Sequence, residues 1–588
     1  MCGIAGQLSP QGLPQRQPGF YDHILSTMTR RGPDQEGIFC DAACALLHRR
    51  LSVIDPAHGQ QPMTISGVTI VYNGELYNTP ELRQELSALG DTFETTSDTE
   101  VLLRAYLRWG DACPKKLNGI FAFAVYDPGR RRLFLARDPI GVKPLFYAQR
   151  GSSLFFASEL KSLLCFPEIL PRIDARGLYD LLFLGPGRTP GYGVFRGVYE
   201  LEPGTCGYFD ESGLHISRYW FLRDAPCTDS FQEASEKTRF LVEDSIRRQL
   251  VSDVPLGTFL SGGLDSSIIS AVAARNLGTI NTYSVDYRDN AQYFQATKFQ
   301  PNADSSYIGL MEQHIGAHGH RITLDTPELV SALFEAAEAR DLPGMADVDS
   351  SMLLLCRTAR KHSTVILSGE CADEIFGGYP WYRDPEIRAV NGFPWAQTTD
   401  YRASFVTPEL LRWLSPREFV DHRYQETLKL ADILPDTEPL EKRMKEMMVL
   451  NLRWFMQTLL DRKDRMSMWS GLEVRVPFCD KRIVEYLYTV PWSYKDYQGQ
   501  EKGLLRHAFR DLLPKEIVTR RKSPYPKTWN PSYMAAVSEL LRQELANPAS
   551  PLLDFLQKDA LLALCRENRS IPWYGQLMTT PQTIAYFL

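Results

Sequence analysis

Ser261-Gly262-Gly263-Leu264-Asp265-Ser266-Ser267 decides how the rest of the chain is read. An apolar run from Val254 to Leu260, broken by one Pro and one Gly, precedes it, and Ile268-Ile269-Ser270-Ala271-Val272-Ala273-Ala274 follows. The pattern predicts a strand, a tight turn and a helix. The glycines let backbone N–H groups come close to an anion, the serines add hydroxyl donors, and the helix start adds the positive end of its dipole. The loop therefore has the make-up of a phosphate cradle. Asp265 beside phosphates calls for a cation between them, and Mg²⁺ suits such an all-oxygen site. No Lys follows the glycines at the spacing of a Walker loop. An ordinary Gly-Ser turn capping a helix is the competing account of the same residues.

From Phe231 onward, helical patterns alternate with short apolar runs, which predicts a parallel sheet with crossover helices. Phe231 to Leu250 reads as a helix leading into the loop strand, and Thr282-Tyr283-Ser284-Val285-Asp286 as the next strand. Val365-Ile366-Leu367 then runs into Ser368-Gly369-Glu370-Cys371-Ala372-Asp373-Glu374-Ile375-Phe376-Gly377-Gly378-Tyr379. Carboxylates gathered at one sheet edge repel one another unless Mg²⁺ or a cationic side chain joins them. Arg520-Arg521-Lys522-Ser523 is a cationic loop further on, equally readable as a solvated basic run.

Upstream, the chain opens Met1-Cys2-Gly3-Ile4-Ala5-Gly6. A small residue after the initiator permits its removal, leaving Cys2 with both a thiol and a free α-amine. An α-amine of pKa ~8 can act as general base toward its own thiol. A buried small hydrophobe is the other reading of such a cysteine. Val68–Tyr72, Phe121–Tyr126 and Arg132–Arg137 alternate apolar and polar residues, which predicts antiparallel strands. Thr79–Leu89 and Glu100–Trp109 read as helices. The polar, turn-rich stretch 211–230 is expected to link a domain over 1–210 to one over 231–588.

At 588 residues the chain exceeds what one core organises, and 44% hydrophobic with 23% charged residues suits a globular enzyme. Lys+Arg of 65 against Asp+Glu of 71 leaves a net charge of −6, so no basic footprint for nucleic acid is present. No apolar run approaches a membrane span and no signal sequence is seen, so a cytoplasmic protein is expected. The 11 cysteines include no CxxC pair, which implies neither a zinc site nor a disulfide framework.

Met1–Gly6, Arg30-Arg31-Gly32-Pro33-Asp34, Leu47–Asp55, Tyr72-Asn73-Gly74-Glu75-Leu76-Tyr77-Asn78 and Ser97-Asp98-Thr99-Glu100 together resemble the motifs of class II (N-terminal nucleophile) glutamine amidotransferases. The resemblance implies an αββα sandwich in which Cys2 is the nucleophile and Arg50 holds the glutamine α-carboxylate. Glu75 and Asp98 would hold its α-ammonium, and the Asn73 side chain with the Gly74 N–H would form the oxyanion hole. A guanidinium fork suits a carboxylate, and two neutral donors suit a tetrahedral oxyanion.

The Ser261 loop resembles the SGGxDS pyrophosphate loop of ATP pyrophosphatases. Ser368–Tyr379 resembles the SGEGADE motif of asparagine synthetases, with Cys371 where the family has glycine. These likenesses imply that ATP is held by Leu260, Ser261, Gly262, Gly263, Asp265, Ser266, Val285, Ser368 and Gly369, with Ser284 and Asp286 as further candidates. By the same resemblance, Asp265 and Asp373 bind Mg²⁺, Glu370 orients or deprotonates ammonia, and Lys522 neutralises the adenylation transition state. Asp464-Arg465-Met466-Ser467 and Glu473–Asp480 repeat further family segments and read mostly as scaffold, with Cys479 in place of leucine.

Nearly the whole chain is thus similar to the glutamine-hydrolysing asparagine synthetases of the B type. The implied fold class is two-domain α/β, an Ntn-type sandwich followed by a parallel-sheet ATP-pyrophosphatase domain. The implied chemistry takes ammonia from glutamine through the protein to a β-aspartyl-AMP formed from ATP and aspartate. Relatives also amidate other carboxylates, such as diaminopimelate or natural-product acids, and that is the alternative. Arg340–Ser351, Phe299-Gln300-Pro301-Asn302 and Tyr525-Pro526-Lys527 depart from the usual acceptor-binding patterns, so no motif identifies an arginine for the acceptor carboxylate. Cys2, Asp265 and Glu370 are all kept, which argues against a silent scaffold. A tRNA-thiolating enzyme would want a basic surface and a catalytic cysteine pair. A homodimer is compatible with the sequence, from which the oligomeric state is not readable.

Overall fold

The alternating stretches of the first half form two six-stranded antiparallel sheets in a computed structural model that describes residues 1–294, 303–567, 571–575 and 577–588. Phe299–Asn302 lies outside the described residues. The strands are β1 (Cys2–Leu8), β2 (Gln35–Cys40), β3 (Cys44–Arg50), β4 (Met63–Ile65), β5 (Val68–Leu76) and β6 (Gly119–Asp127). They continue with β7 (Arg132–Arg137), β8 (Phe146–Arg150), β9 (Ser153–Ala157), β10 (Tyr199–Glu200), β11 (Thr205–Asp210) and β12 (Gly213–Arg218). One sheet runs β10-β8-β9-β1-β3-β2 and the other β12-β11-β7-β6-β5-β4. Their facing sides share an apolar layer that includes Ile4, Leu46, Val71, Ala124 and Leu135. Helices Thr79–Ala88 and Asp98–Trp109 cover the outer face of the second sheet through Leu82, Leu86, Leu102 and Tyr106. Helix Phe20–Thr27 covers the first through Ile24 and Leu25. The αββα sandwich is the one the resemblance implies.

The stretch expected as a linker is partly sheet. β12 pairs with β11 from Thr205↔Arg218 to Asp210↔Gly213, so the sandwich runs on to Arg218. As an edge strand with an exposed face, β12 stays polar and hides its alternation. Beyond it, Asp224 accepts from the Leu434 N–H at 3.1 Å and ties the chain to the second half.

In the second half β13 (Leu256–Phe259), β14 (Asn281–Tyr287), β15 (His318–Leu324), β16 (Val365–Leu367) and β17 (Glu473–Arg475) form a parallel sheet in the order β15-β14-β13-β16-β17. Helix Phe231–Arg248 enters through a Ser230/Glu233 capping box, a device contributing ~1 kcal/mol. The strand order reverses at β13, which pairs with β14 on one side and β16 on the other. The loops leaving β13 and β16 therefore lie side by side at the carboxyl edge, where ligands of such sheets bind.

Buried ion pairs join the halves. Asp464, read as scaffold from its motif, takes Arg31 at 2.7 Å and Lys143 at 3.1 Å, both from the sandwich. Glu159 takes Arg31 at 3.0 Å and Arg465 at 3.1 Å. Removing one member of such a pair leaves an uncompensated buried charge and costs ~3–5 kcal/mol. Among the described residues no helix is long and apolar enough to cross a membrane.

Candidate active sites

The first site forms where β1 starts between its neighbours. Cys2 pairs with Arg50 of β3 in register, and its backbone N–H donates to Asn73 Oδ1 on β5 at 3.0 Å. That contact turns the amide, whose Nδ2 is buried without a partner. An unpartnered buried donor one side chain from a nucleophile is suited to an oxyanion. Burial raises the Cys2 thiol above its ordinary value even with the chain-terminal ammonium and Arg50 nearby, so the resting thiol keeps its proton and needs a base. Met1, Cys2, Arg50, Gly74, Glu75 and Asp98 line one cavity.

Arg50 is aimed by the turn after it. Its guanidinium donates to the carbonyls of Ile54 (3.0 Å), Asp55 (2.7 Å) and Pro56 (3.0 Å) and to Gln35 Oε1 (2.8 Å). A Cβ on Gly59 would stand 2.2 Å from its Nη2, so only glycine leaves it in place. Asp98 opens helix Asp98–Trp109 and accepts from the Tyr72 hydroxyl at 3.0 Å and the Leu76 N–H at 3.1 Å. Burial, with Glu473 and Asp98 close by, pushes Glu75 well above the usual carboxylate range. Two residues from the other domain back this site through Met1 and Glu75, and sequence reading missed them in this role. Glu473 takes the Met1 ammonium at 2.7 Å, and Arg475 reaches Glu473 at 2.6 Å and Glu75 at 3.8 Å.

The second site sits on the loops after β13 and β16. Gly262 adopts φ +66°, and a Cβ there would stand 2.6 Å from Tyr307 Cβ. A Cβ on Gly369 would reach Asp265 Cβ at 3.1 Å, which shows how closely the two loops approach. All the residues expected to contact ATP except Gly262 line one cleft, together with Ser284, Glu370, Asp373 and Lys522. Asp286 turns aside to take the Asn290 amide at 2.8 Å.

Lys502, absent from the sequence argument, stands between the two acidic residues. It is 2.6 Å from Asp373 Oδ1 and also pairs with Asp265, while Lys522 pairs with Asp373. Burial raises Asp265, whereas at Asp373 the two lysines outweigh burial and hold the carboxyl down at about 2. Asp265 Oδ1 is buried without a hydrogen-bond partner. Two facing carboxylates fit a hard divalent cation that takes its other ligands from phosphate oxygens and water. Among the described residues no group of three or more His, Cys, Asp or Glu could hold a metal alone, so the nucleotide would complete this site. Glu370 pairs with the buried Lys463, which also donates to Ser368 Oγ at 2.8 Å. The other Glu370 oxygen is buried and unpartnered.

Cys371 has φ +80°, the region that favours glycine, which accounts for the family's usual residue there. Its thiol lies beside that of Cys479, so the two departures from the family pattern face each other. A cysteine in place of leucine at 479 leaves room for the extra side chain at 371.

Both halves match known family models, a glutamine amidotransferase domain over residues 1–220 and asparagine synthase over residues 237–587. The chain belongs to the asparagine synthase family. Among its relatives in this family is asparagine synthetase [glutamine-hydrolyzing] 3 of Bacillus subtilis (strain 168), 46% identical over 100% of this chain and 97% of the relative. Asparagine synthetase [glutamine-hydrolyzing] 1 of the same organism is 29% identical over 97% of this chain and 93% of its own length.

Proposed function

We propose that the protein makes L-asparagine from L-aspartate, with nitrogen from glutamine and driving force from ATP. Removal of Met1 frees the Cys2 α-amine, which takes the thiol proton as sulfur attacks the glutamine amide carbon. Asn73 Nδ2 and the Gly74 N–H hold the oxyanion, each donor of this kind contributing ~3 kcal/mol to the transition state. The C–N bond breaks, ammonia leaves with the proton, and water hydrolyses the thioester to glutamate and free thiol.

The ammonia passes inside the protein. One continuous apolar cluster includes Met1, Leu51 and Val53 near Cys2 and Leu367, Cys371 and Cys479 near Glu370. At the second site the aspartate β-carboxylate displaces pyrophosphate from the α-phosphorus of ATP, giving β-aspartyl-AMP. Mg²⁺, when held by Asp265 and Asp373, neutralises phosphate charge. Lys522 adds positive charge where the phosphate charge shifts. Glu370 takes a proton as ammonia displaces AMP from the acyl carbon, and the cytoplasm is the expected place for these substrates.

The observation that carries this reading is the pairing, in one chain, of the Cys2–Arg50–Gly74 cavity, with Asn73 bonded to the Cys2 N–H beside it, and the Asp265–Asp373–Glu370 cleft. The departures in 340–351 favour a second reading in which the same chemistry amidates another carboxylate. Pyrophosphate and AMP release with glutamine and Mg·ATP, comparing aspartate with diaminopimelate and other acids, separates the two. Turnover with aspartate and mass-identified asparagine is expected; silence with aspartate but turnover of another acid moves the protein to the second reading.

A further inference from the structure

The acceptor stretch holds one arginine, Arg340, and the fold uses it elsewhere. Its Nη1 donates to Asp349 at 3.2 Å, its Nη2 to the Pro186 carbonyl at 3.1 Å, and its Nε lies 3.4 Å from Asp461. The stretch contributes Met345 to the cleft wall, with Met352 just after it, but no free cation.

A different arginine is free. Helix Met456–Trp469 turns Leu459 and Arg462, one turn apart, toward the cleft. The next residue, Lys463, reaches Glu370 and Ser368. Arg462 is 3% exposed, and its Nε and Nη1 are buried with no hydrogen-bond partner. Its guanidinium lies over the Tyr525 ring, 5.0 Å from the centroid, three residues from the Lys522 that pairs with Asp373.

The other buried cations lining this cleft are committed. Lys502 and Lys522 pair with Asp265 and Asp373, Arg506 with Glu501 at 2.6 Å, and Arg520 with Asp304. Arg521 is exposed and can be solvated. A buried guanidinium with no carboxylate paired to it is costly unless an anion arrives to meet it, and its planar fork suits a carboxylate.

We infer that Arg462 anchors the α-carboxylate of the acceptor amino acid, leaving the β-carboxylate to face the nucleotide and Glu370. The assignment rests on the proposed aspartate reaction. It makes the site selective for acceptors with a free carboxylate next to the amine, and it places that selectivity on the helix that also carries Lys463.

The test compares aspartate with its α-amide, isoasparagine, as acceptors for the full chain, reading kcat/KM by pyrophosphate release. Wild type should prefer aspartate about 100-fold, as expected for a charge-assisted bidentate contact. Arg462→Gln should erase that preference by raising KM for aspartate, with KM for ATP unchanged; Arg462→Lys should keep part of it and carries the test if the glutamine variant does not fold. A preference for aspartate that survives in Arg462→Gln, or in full in Arg462→Lys, would overturn the assignment. So would a rise in KM for ATP with equal loss on both acceptors, which would place the guanidinium on phosphate. A wild type silent with aspartate would instead sink the parent reaction, and the aspartate assignment with it.

Discussion

Around Cys2 the polar groups are set by strands: an amide turned by a backbone N–H, a guanidinium braced by three carbonyls, a carboxylate held by a hydroxyl and an N–H. Around Asp265 and Asp373, each in the first turn of a helix, they are charged side chains closed on one another through Lys502 and Lys522. On the proposed reading, the first arrangement needs only the removal of Met1 to receive its substrate. The second must exchange lysine contacts for metal and phosphate contacts. The sandwich site therefore depends on geometry, and the cleft on charge balance.

The largest expected effect tests the first half of that contrast. Asn73→Ala should cut glutamine hydrolysis by ~10²–10³-fold. Synthesis driven by added ammonium should persist. Glutamate release set against ammonium-dependent pyrophosphate release reads the difference, and a parallel fall in both would break the separation of the sites. For the second half, Lys502→Met leaves two buried carboxylates facing each other and should cost ~3–5 kcal/mol. Thermal unfolding with and without MgCl₂ should show Mg²⁺ recovering more stability in the variant than in wild type; equal responses would contradict the charge-balance account.

Glu374 sharpens it further. Burial, and then Asp373, raise its carboxyl from 4.5 to about 7. The folded state thus binds the proton more tightly than the unfolded chain. Its contribution is fully present below the unfolded value and is lost as pH rises through about 7, a change of ~3 kcal/mol. Glu374→Gln should flatten the fall in melting temperature between pH 5 and pH 8, and an unchanged slope would remove Glu374 as its source. The smallest effect concerns the Cys371/Cys479 pair. Cys479→Leu should overpack against the Cys371 thiol, and adding Cys371→Gly should relieve it, giving a coupling of ~1 kcal/mol in a denaturation cycle. Additive effects would show that the two cysteines do not share one space.

What could be read from the sequence was local. The Ser261 loop, the Ser368 loop and the Met1–Gly6 opening each put their chemistry within a few residues, and the alternation in β5, β6 and β7 announced antiparallel strands. What could not be read depends on pairs hundreds of residues apart. Arg31 with Asp464, Met1 with Glu473, and Lys502 with Asp265 leave no spacing signal in the chain. Asp464 and Glu473 therefore looked like scaffold, although one ties the domains together and the other holds the Met1 ammonium beside Cys2. Arg462 carried no motif at all; only its burial without a partner, visible in three dimensions, sets it apart.

The most direct test of the whole account follows the nitrogen. With [¹⁵N-amide]glutamine, aspartate, Mg·ATP and a large excess of unlabelled ammonium, the proposed passage of ammonia inside the apolar cluster predicts that the asparagine formed keeps the glutamine-derived label. Label diluted to the bulk ammonium ratio would contradict that coupling and leave two active sites that merely share a chain.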